Sequence, residues 1–174
     1  AAGGIGRVLV SAALDAGYQV ALLDRDKARL DQMVSDLKEC HQADGLLACI
    51  VDVADENSCT IAIEQVISQF GRLDGLVNAA GIGMVVVRDS HMVEPVRFDE
   101  VSSDHWDQFF DINAKGPFLM AKGALPFLAK GGWGRIVNVT TSMDTMHRSG
   151  FCPYGPSKAA LEASTAIWAQ ELDG

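Results

Sequence analysis

The sequence is short of positive charge. Fourteen lysines and arginines stand against 23 aspartates and glutamates, a formal net charge of −9 with a pI near 4.7. Binding to a phosphate backbone needs clustered Lys and Arg, so no nucleic-acid partner is expected. Long apolar runs are also missing. None approaches the roughly 20 residues that cross a bilayer, so no membrane partner is expected either. The opening stretch, AAGGIGRVLV, lacks the charged segment and long apolar core of a signal peptide. Cysteine is sparse: Cys40, Cys49, Cys59 and Cys152, with no CxxC pairing. A chain of this length does not depend on disulfides, so reduced thiols and a cytoplasmic location are expected. Cys40-His41 is a possible ligand pair, but no second pair at ligand spacing accompanies it, and no metal is expected.

What is present is an ordinary globular composition, 48% hydrophobic over 174 residues, enough for one domain with a substantial core. The elements alternate. Residues 5–16 read as a helix stopped by Gly17, and YQVALLD (18–24) as a short buried strand. Residues 26–39 place Leu30, Met33, Val34 and Leu37 on one helical face, and LLACIVD (46–52) is a second strand. Asp55 can cap a helix over 56–70, closed by Gly71. DGLVNAAG (74–81) is a third strand. Ser102 or Ser103 can cap a long helix to about residue 129; GRIVNVTT (134–141) is a fourth strand and 154–172 a last helix. The stretch 82–102 carries no clear element and is a candidate lid or pocket wall.

Apolar strands separated by helices predict a parallel sheet covered on both faces, and right-handed crossovers make it doubly wound. The expected class is therefore α/β: a Rossmann-type doubly wound parallel sheet forming a single domain over residues 1–174. No strand precedes the glycine turn at the start and none follows the last helix. Four strands stand where such a fold has about six, so a fragment or partial gene product lacking the first and C-terminal strands is expected.

Three features point to chemistry when taken together. Gly4 and Gly6, flanking Ile5 at a helix start, let backbone approach a pyrophosphate whose charge the helix N-terminus favours. Asp24 ends the second element some 20 residues later, where a carboxylate accepts from ribose hydroxyls and repels a 2′-phosphate. Two unit charges 4 Å apart interact by about 4 kcal/mol at an effective dielectric of 20. NAD is thus expected in preference to NADP, with Arg25 the one residue arguing the other way. Finally, Tyr154 and Lys158 lie one helical turn apart in PYGPSKAALEA. An isolated phenol ionises near pH 10, and a neighbouring ammonium favours the phenolate, so the pair suits a general acid/base.

In order along the chain, these motifs resemble those of the short-chain dehydrogenase/reductase family. The family's glycine motif, T-G-x-x-x-G-x-G, would place its last two glycines at Gly4 and Gly6. Asp52-Val53 is similar to the family's adenine-contact pair, and NAAG, Asn78-Ala79-Ala80-Gly81, to its N-N-A-G. Asn113 in DINAKGPF matches the family's helix asparagine, and Tyr154 with Lys158 matches Y-x-x-x-K. The resemblance implies hydride transfer between a nicotinamide and a carbonyl or secondary alcohol. It also implies that Lys158 holds the nicotinamide ribose, that Asn113 joins a proton-relaying water chain, and that a hydroxyl from the fourth strand's end binds the substrate oxygen. For that hydroxyl, family spacing points to Thr141 and residue type to Ser142. The helices at 104–129 and 154–172 resemble those through which the family forms dimers and tetramers. His91 and His147 read as surface residues at least as well as catalytic ones, and Trp106 as core or interface. Two alternatives stay open: a catalytically inactive fragment acting through subunit pairing, and an epimerase or dehydratase on the same fold.

Overall fold

The computed structural model describes residues 1–40 and 45–172. His41, half of the possible ligand pair, lies outside the described residues. Helix α1 (Gly4–Asp15) leads to strand β1 (Val20–Asp24), helix α2 (Lys27–Cys40), β2 (Leu46–Ile50), α3 (Glu56–Phe70) and β3 (Gly75–Asn78). Two single 3₁₀ turns, Met84–Val86 and Phe98–Glu100, punctuate the connection to α4 (Ser103–Phe110). A π turn (Asp111–Lys115), α5 (Gly116–Lys130), β4 (Arg135–Asn138), α6 (Met143–Met146) and α7 (Tyr154–Glu171) complete the chain.

The helix ends follow the chemistry of their residues. Asp55 accepts from the Ser58 amide at 2.8 Å, and Gly71 closes α3 in the left-handed region, φ 72°. At the end of α1, Gly17 adopts φ 83°, its amide bonding Leu14 O and the Tyr18 amide bonding Ala13 O. That pair of reversed bonds needs a residue without a Cβ penalty, which the sequence supplies.

All strand pairing is parallel. β1 pairs with β2 in the register Leu22↔Ala48, and β3 with β4 in the register Asn78↔Asn138. Two pairs form rather than one continuous sheet: among the described residues no ladder joins β1 to β3. Successive strand residues face opposite sides, and both sides are covered. Leu22 and Leu46 pack with Val10, Leu30, Met33 and Leu37 of α1 and α2. Leu23 and Leu47 turn the other way, into a cluster built by Ala62, Ile63, Leu119, Met120 and Ala124 of α3 and α5. A third cluster, Met84, Val96 and Phe109, lies beneath Tyr154 and Phe151.

The expected single helix from Ser102 or Ser103 to about 129 is broken in two. Ser102 is the cap, accepting from the His105 amide at 3.1 Å. The break is the π turn, where the Gly116 amide reaches back to the Asp111 carbonyl; Pro117, at the next position, has no N–H to give the Asn113 carbonyl. The short helix α6 was not legible as a helix in advance. Its last residue, Met146, packs so closely on α7 that a Cβ at Gly155 would collide with the Met146 carbonyl. Gly155→Ala should therefore lower the urea unfolding midpoint by the equivalent of about 1–3 kcal/mol, the usual cost of overpacking. An unchanged midpoint would refute that packing.

Candidate active site

The chemistry-bearing residues gather where the strands end. Helix α1 is capped by Gly3, which makes no side-chain cap bond. Around Gly3 and Gly4 there is open space, whereas a Cβ at Gly6 would collide with the Ala1 carbonyl. The turn thus crosses the helix at Gly6 and opens outward at Gly3 and Gly4, with Ile5 exposed beside them. This shape fits a pyrophosphate against a helix N-terminus.

Asp24 holds that turn in place. Its Oδ2 accepts from the Ala1 nitrogen at 3.1 Å and the Ala2 amide at 2.9 Å, and its Oδ1 from the Asp26 amide at 3.1 Å. Partial burial would raise its pKa, but the hydrogen bonds from the Asp26 and Ala2 amides, with the bond to and positive charge of the Ala1 nitrogen, outweigh burial and hold the carboxyl below its ordinary range. Next to it a shallow cleft is lined by Arg25, Asp52, Asp104, Asp107 and Asp111. Asp52 is exposed there, its Oδ1 bonded to the Ala54 amide at 3.0 Å. Val53 instead turns inward and packs against Gly116, so its side chain serves the core at least in part.

Asn78 is buried and its side chain is committed. Its amide donates to Asn138 Oδ1 at 2.8 Å and to the Pro117 carbonyl at 3.4 Å, and Asn138 passes the chain on to Thr165 Oγ1 at 2.8 Å. Both amide protons of Asn78 are therefore used within the protein, while Ala80 two residues on is exposed. Gly81, by contrast, is where the elements converge. A Cβ there would lie 3.1 Å from Asn113 Oδ1 and 3.3 Å from Lys158 Nζ.

Asn113, fully buried on the π turn, clamps the adjoining loop from both sides. Its Oδ1 accepts from the Ile82 amide at 2.9 Å, and its Nδ2 donates to the Ile82 carbonyl and to Ser157 Oγ, each at 3.0 Å. Lys158 is 5% exposed and donates to the Val139 carbonyl at 2.7 Å. Burial pushes its pKa below the ordinary lysine value. No carboxylate pairs with it among the described residues, and a buried ammonium with protons to spare suits hydroxyls of a bound ribose.

Tyr154 is half-buried at the first position of α7. Its ring stands edge-on to Phe109 and Phe151, at 6.5 and 6.1 Å between centroids, and no described residue bonds its hydroxyl. The two candidate partners differ in how they are used. Ser142 caps α6, its Oγ accepting from the Thr145 amide at 3.3 Å and meeting Thr145 Oγ1 at 3.0 Å. Thr141 is half-buried and its hydroxyl has no partner among the described residues. His147 is exposed. His91 is half-buried, edge-on to Phe151 at 5.8 Å, with a buried Nδ1 that no described residue bonds. Trp106 stacks on Phe110 at 5.0 Å and is 40% exposed. Ser157 was missed in the sequence because a serine before the lysine carries no chemistry of its own; only its 0% exposure reveals it.

The parallel strands with helices between them are a Rossmann-type α/β architecture. The family model described as short chain dehydrogenase matches residues 1–174, and the chain belongs to that family. It is 31% identical over its whole length to a 3-oxoacyl-[acyl-carrier-protein] reductase FabG of Thermotoga maritima, of which it spans 66%. It is 30% identical to a D-threitol dehydrogenase of Mycolicibacterium smegmatis and spans 62% of that protein. A short-chain dehydrogenase crystal structure from Streptomyces avermitilis superposes with a TM-score of 0.83 at 28% identity, over 99% of this chain and 59% of that one. The chain therefore spans about two thirds or less of the length of these relatives. No described helix is long and apolar enough to cross a membrane. No group of three or more His, Cys, Asp or Glu among the described residues could hold a metal ion.

Proposed function

We propose that this protein moves a hydride between a nicotinamide cofactor and a carbonyl or secondary alcohol carbon. The carrying observation is Lys158: a buried ammonium with no carboxylate partner among the described residues, one turn from Tyr154 and against Gly81. The cofactor, when bound, accepts or gives the hydride. In the oxidising direction Tyr154 takes the proton leaving the alcohol oxygen, as the hydride leaves the carbon bearing it. In reduction both transfers reverse. Lys158 favours the phenolate and holds the cofactor's ribose. The first amides of α1, with Gly4, Ile5 and Gly6, carry the pyrophosphate. Backbone from Asn78 to Gly81 lines the path between, with Asp52 and Val53 at the adenine. Asn113 supports the proton's route to solvent by fixing the walls around it.

Two assignments sharpen with the geometry. Thr141 rather than Ser142 is the hydroxyl that binds the substrate oxygen, because Ser142 is spent on the α6 cap. NAD is used in preference to NADP. The support is charge: Asp24 ends β1, and the cleft beside it is lined by Asp52, Asp104, Asp107 and Asp111 together with Arg25, a surrounding that disfavours a further phosphate. The substrate is a small alcohol or ketone, in keeping with relatives named for a reductase and a dehydrogenase. Exposed Phe118, Leu125 and Ile167 on α5 and α7 supply apolar area for a homodimer or homotetramer in the cytoplasm.

The test is a thermal melt with each cofactor, followed by turnover on alcohols and ketones. NADH should raise the melting temperature, and NADPH at equal concentration should raise it far less. Thr141→Ala should cost about tenfold or more in kcat, and Ser142→Ala should cost stability but little kcat. Equal shifts with both cofactors would overturn the NAD preference; the reverse ranking of the two alanine variants would return the role to Ser142.

A further inference from the structure

Ser157 lies between the two catalytic side chains in sequence but points at neither. It is fully buried. Its hydroxyl donates to the Tyr154 carbonyl at 2.8 Å and accepts from Asn113 Nδ2 at 3.0 Å. Asn113 in turn grips both backbone groups of Ile82, the residue after Gly81. The bonds run without a break from the loop after β3, through the π turn, to the first turn of α7. These three elements meet at this point, and the hydroxyl hydrogen-bonds the last of them to the π turn.

The position is demanding. A hydroxyl has one proton and two lone pairs. Here the proton goes to Tyr154 and one lone pair takes the amide, so the direction of the whole chain is fixed. Asn113 spends both amide protons, one on Ile82 and one on Ser157. Without the serine oxygen one proton is stranded in a buried site, at the cost an unmet buried donor always carries. The Tyr154 carbonyl belongs to the residue whose ring must meet the substrate, and a small rotation of that first turn moves the phenol tip most of all.

The geometry points to Ser157 as a positioning residue for the reaction. It sets the phase of the first turn of α7 against the Gly81–Ile82 loop, and so sets Tyr154 against whatever that loop holds. It touches neither substrate nor cofactor. This rests on the hydride-transfer reading above.

The test compares Ser157→Ala with Ser157→Thr, which keeps the hydroxyl, beside Tyr154→Phe as the chemical control. Kinetics are read as kcat and KM separately, and hydrogen exchange is followed at the Ile82 amide and through residues 154–160. Ser157→Ala should lose about tenfold or more in kcat, with cofactor KM within about twofold, because misplacement of the acid/base acts on the chemical step. Exchange at Ile82 should quicken, since Asn113 Nδ2 loses a partner and the carboxamide whose Oδ1 accepts from the Ile82 amide is held less firmly. Ser157→Thr should recover most of both. A Ser157→Ala enzyme with unchanged kcat and unchanged Ile82 exchange overturns the proposal while Tyr154→Phe remains dead. So does equal loss in kcat and affinity, which marks general loosening. If Tyr154→Phe keeps its turnover, the hydride-transfer reading falls and the positioning role falls with it. If Ser157→Thr cannot fold, Ile82 exchange in Ser157→Ala decides alone.

Discussion

Tyr154→Phe should lose between about a hundredfold and ten-thousandfold in kcat, the range a positioned acid/base group contributes. The substitution removes one oxygen. The ring keeps its edge-on contacts with Phe109 and Phe151, and no described residue loses a hydrogen bond, because none is made to that hydroxyl. Folding and cofactor affinity should therefore stay within about twofold, measured by melting and by quenching of cofactor fluorescence. This combination separates a chemical role from a structural one. Turnover at the parent rate would remove Tyr154 from the mechanism and take the proposed reaction with it.

Lys158→Met should make a more stable protein that does not work. The ammonium is 5% exposed and holds one carbonyl, Val139 at 2.7 Å. Burial without a partner charge is costly, and an apolar side chain of similar length often does better in such a site. The same side chain holds the ribose in the proposed complex, where hydrogen bonds to a charged group are worth about 1.5–3 kcal/mol. Cofactor affinity should fall by about ten- to a hundredfold, and kcat should fall with it. The pH dependence carries a definite sign. Burial lowers the folded-state pKa of Lys158 from the ordinary 10.5. Between that lowered value and 10.5 the unfolded chain binds more protons than the folded one, so the lysine's contribution to stability rises with pH across that window. Lys158→Met should lack that rise. Urea midpoints taken for both proteins from neutral pH to about 10.5 provide the check, and parallel curves would show that the ammonium is not held at a cost.

Much of this was legible before any coordinates. Period and caps located each of the longer helices apart from the break at 111–115, and Asp55, Gly17 and Gly71 do what their chemistry suggests. The strands were found where apolar runs fell between helices, though each is shorter than its run. Gathering Gly81, Asn113 and Lys158 in one site was implied by the family resemblance of their motifs. What was hidden is how polar side chains are shared out. Asn78 looks the same in sequence whether it faces a ribose or Asn138, and Ser142 looks a better catalyst than Thr141 until its oxygen is seen capping α6. Hydrogen-bond partners far apart in the chain, such as Asn113 with Ile82 and Ser157, leave no periodic trace. The two strand pairs are a further point where pattern was silent: apolar runs say that a strand is buried, not which neighbour it bonds.

The π turn between α4 and α5 has a consequence for how this stretch tolerates change. One extra residue in a helical turn rotates everything beyond it by about 100° around the axis. Residues 103–130 thus act as a mechanical crank. Upstream, Phe109 faces the cluster under Tyr154; downstream, Leu119, Met120 and Ala124 face α3 and the strands. A deletion within 111–115 would straighten the crank and send one of these two faces into water, whereas the same deletion in an exposed connection would pass almost unnoticed.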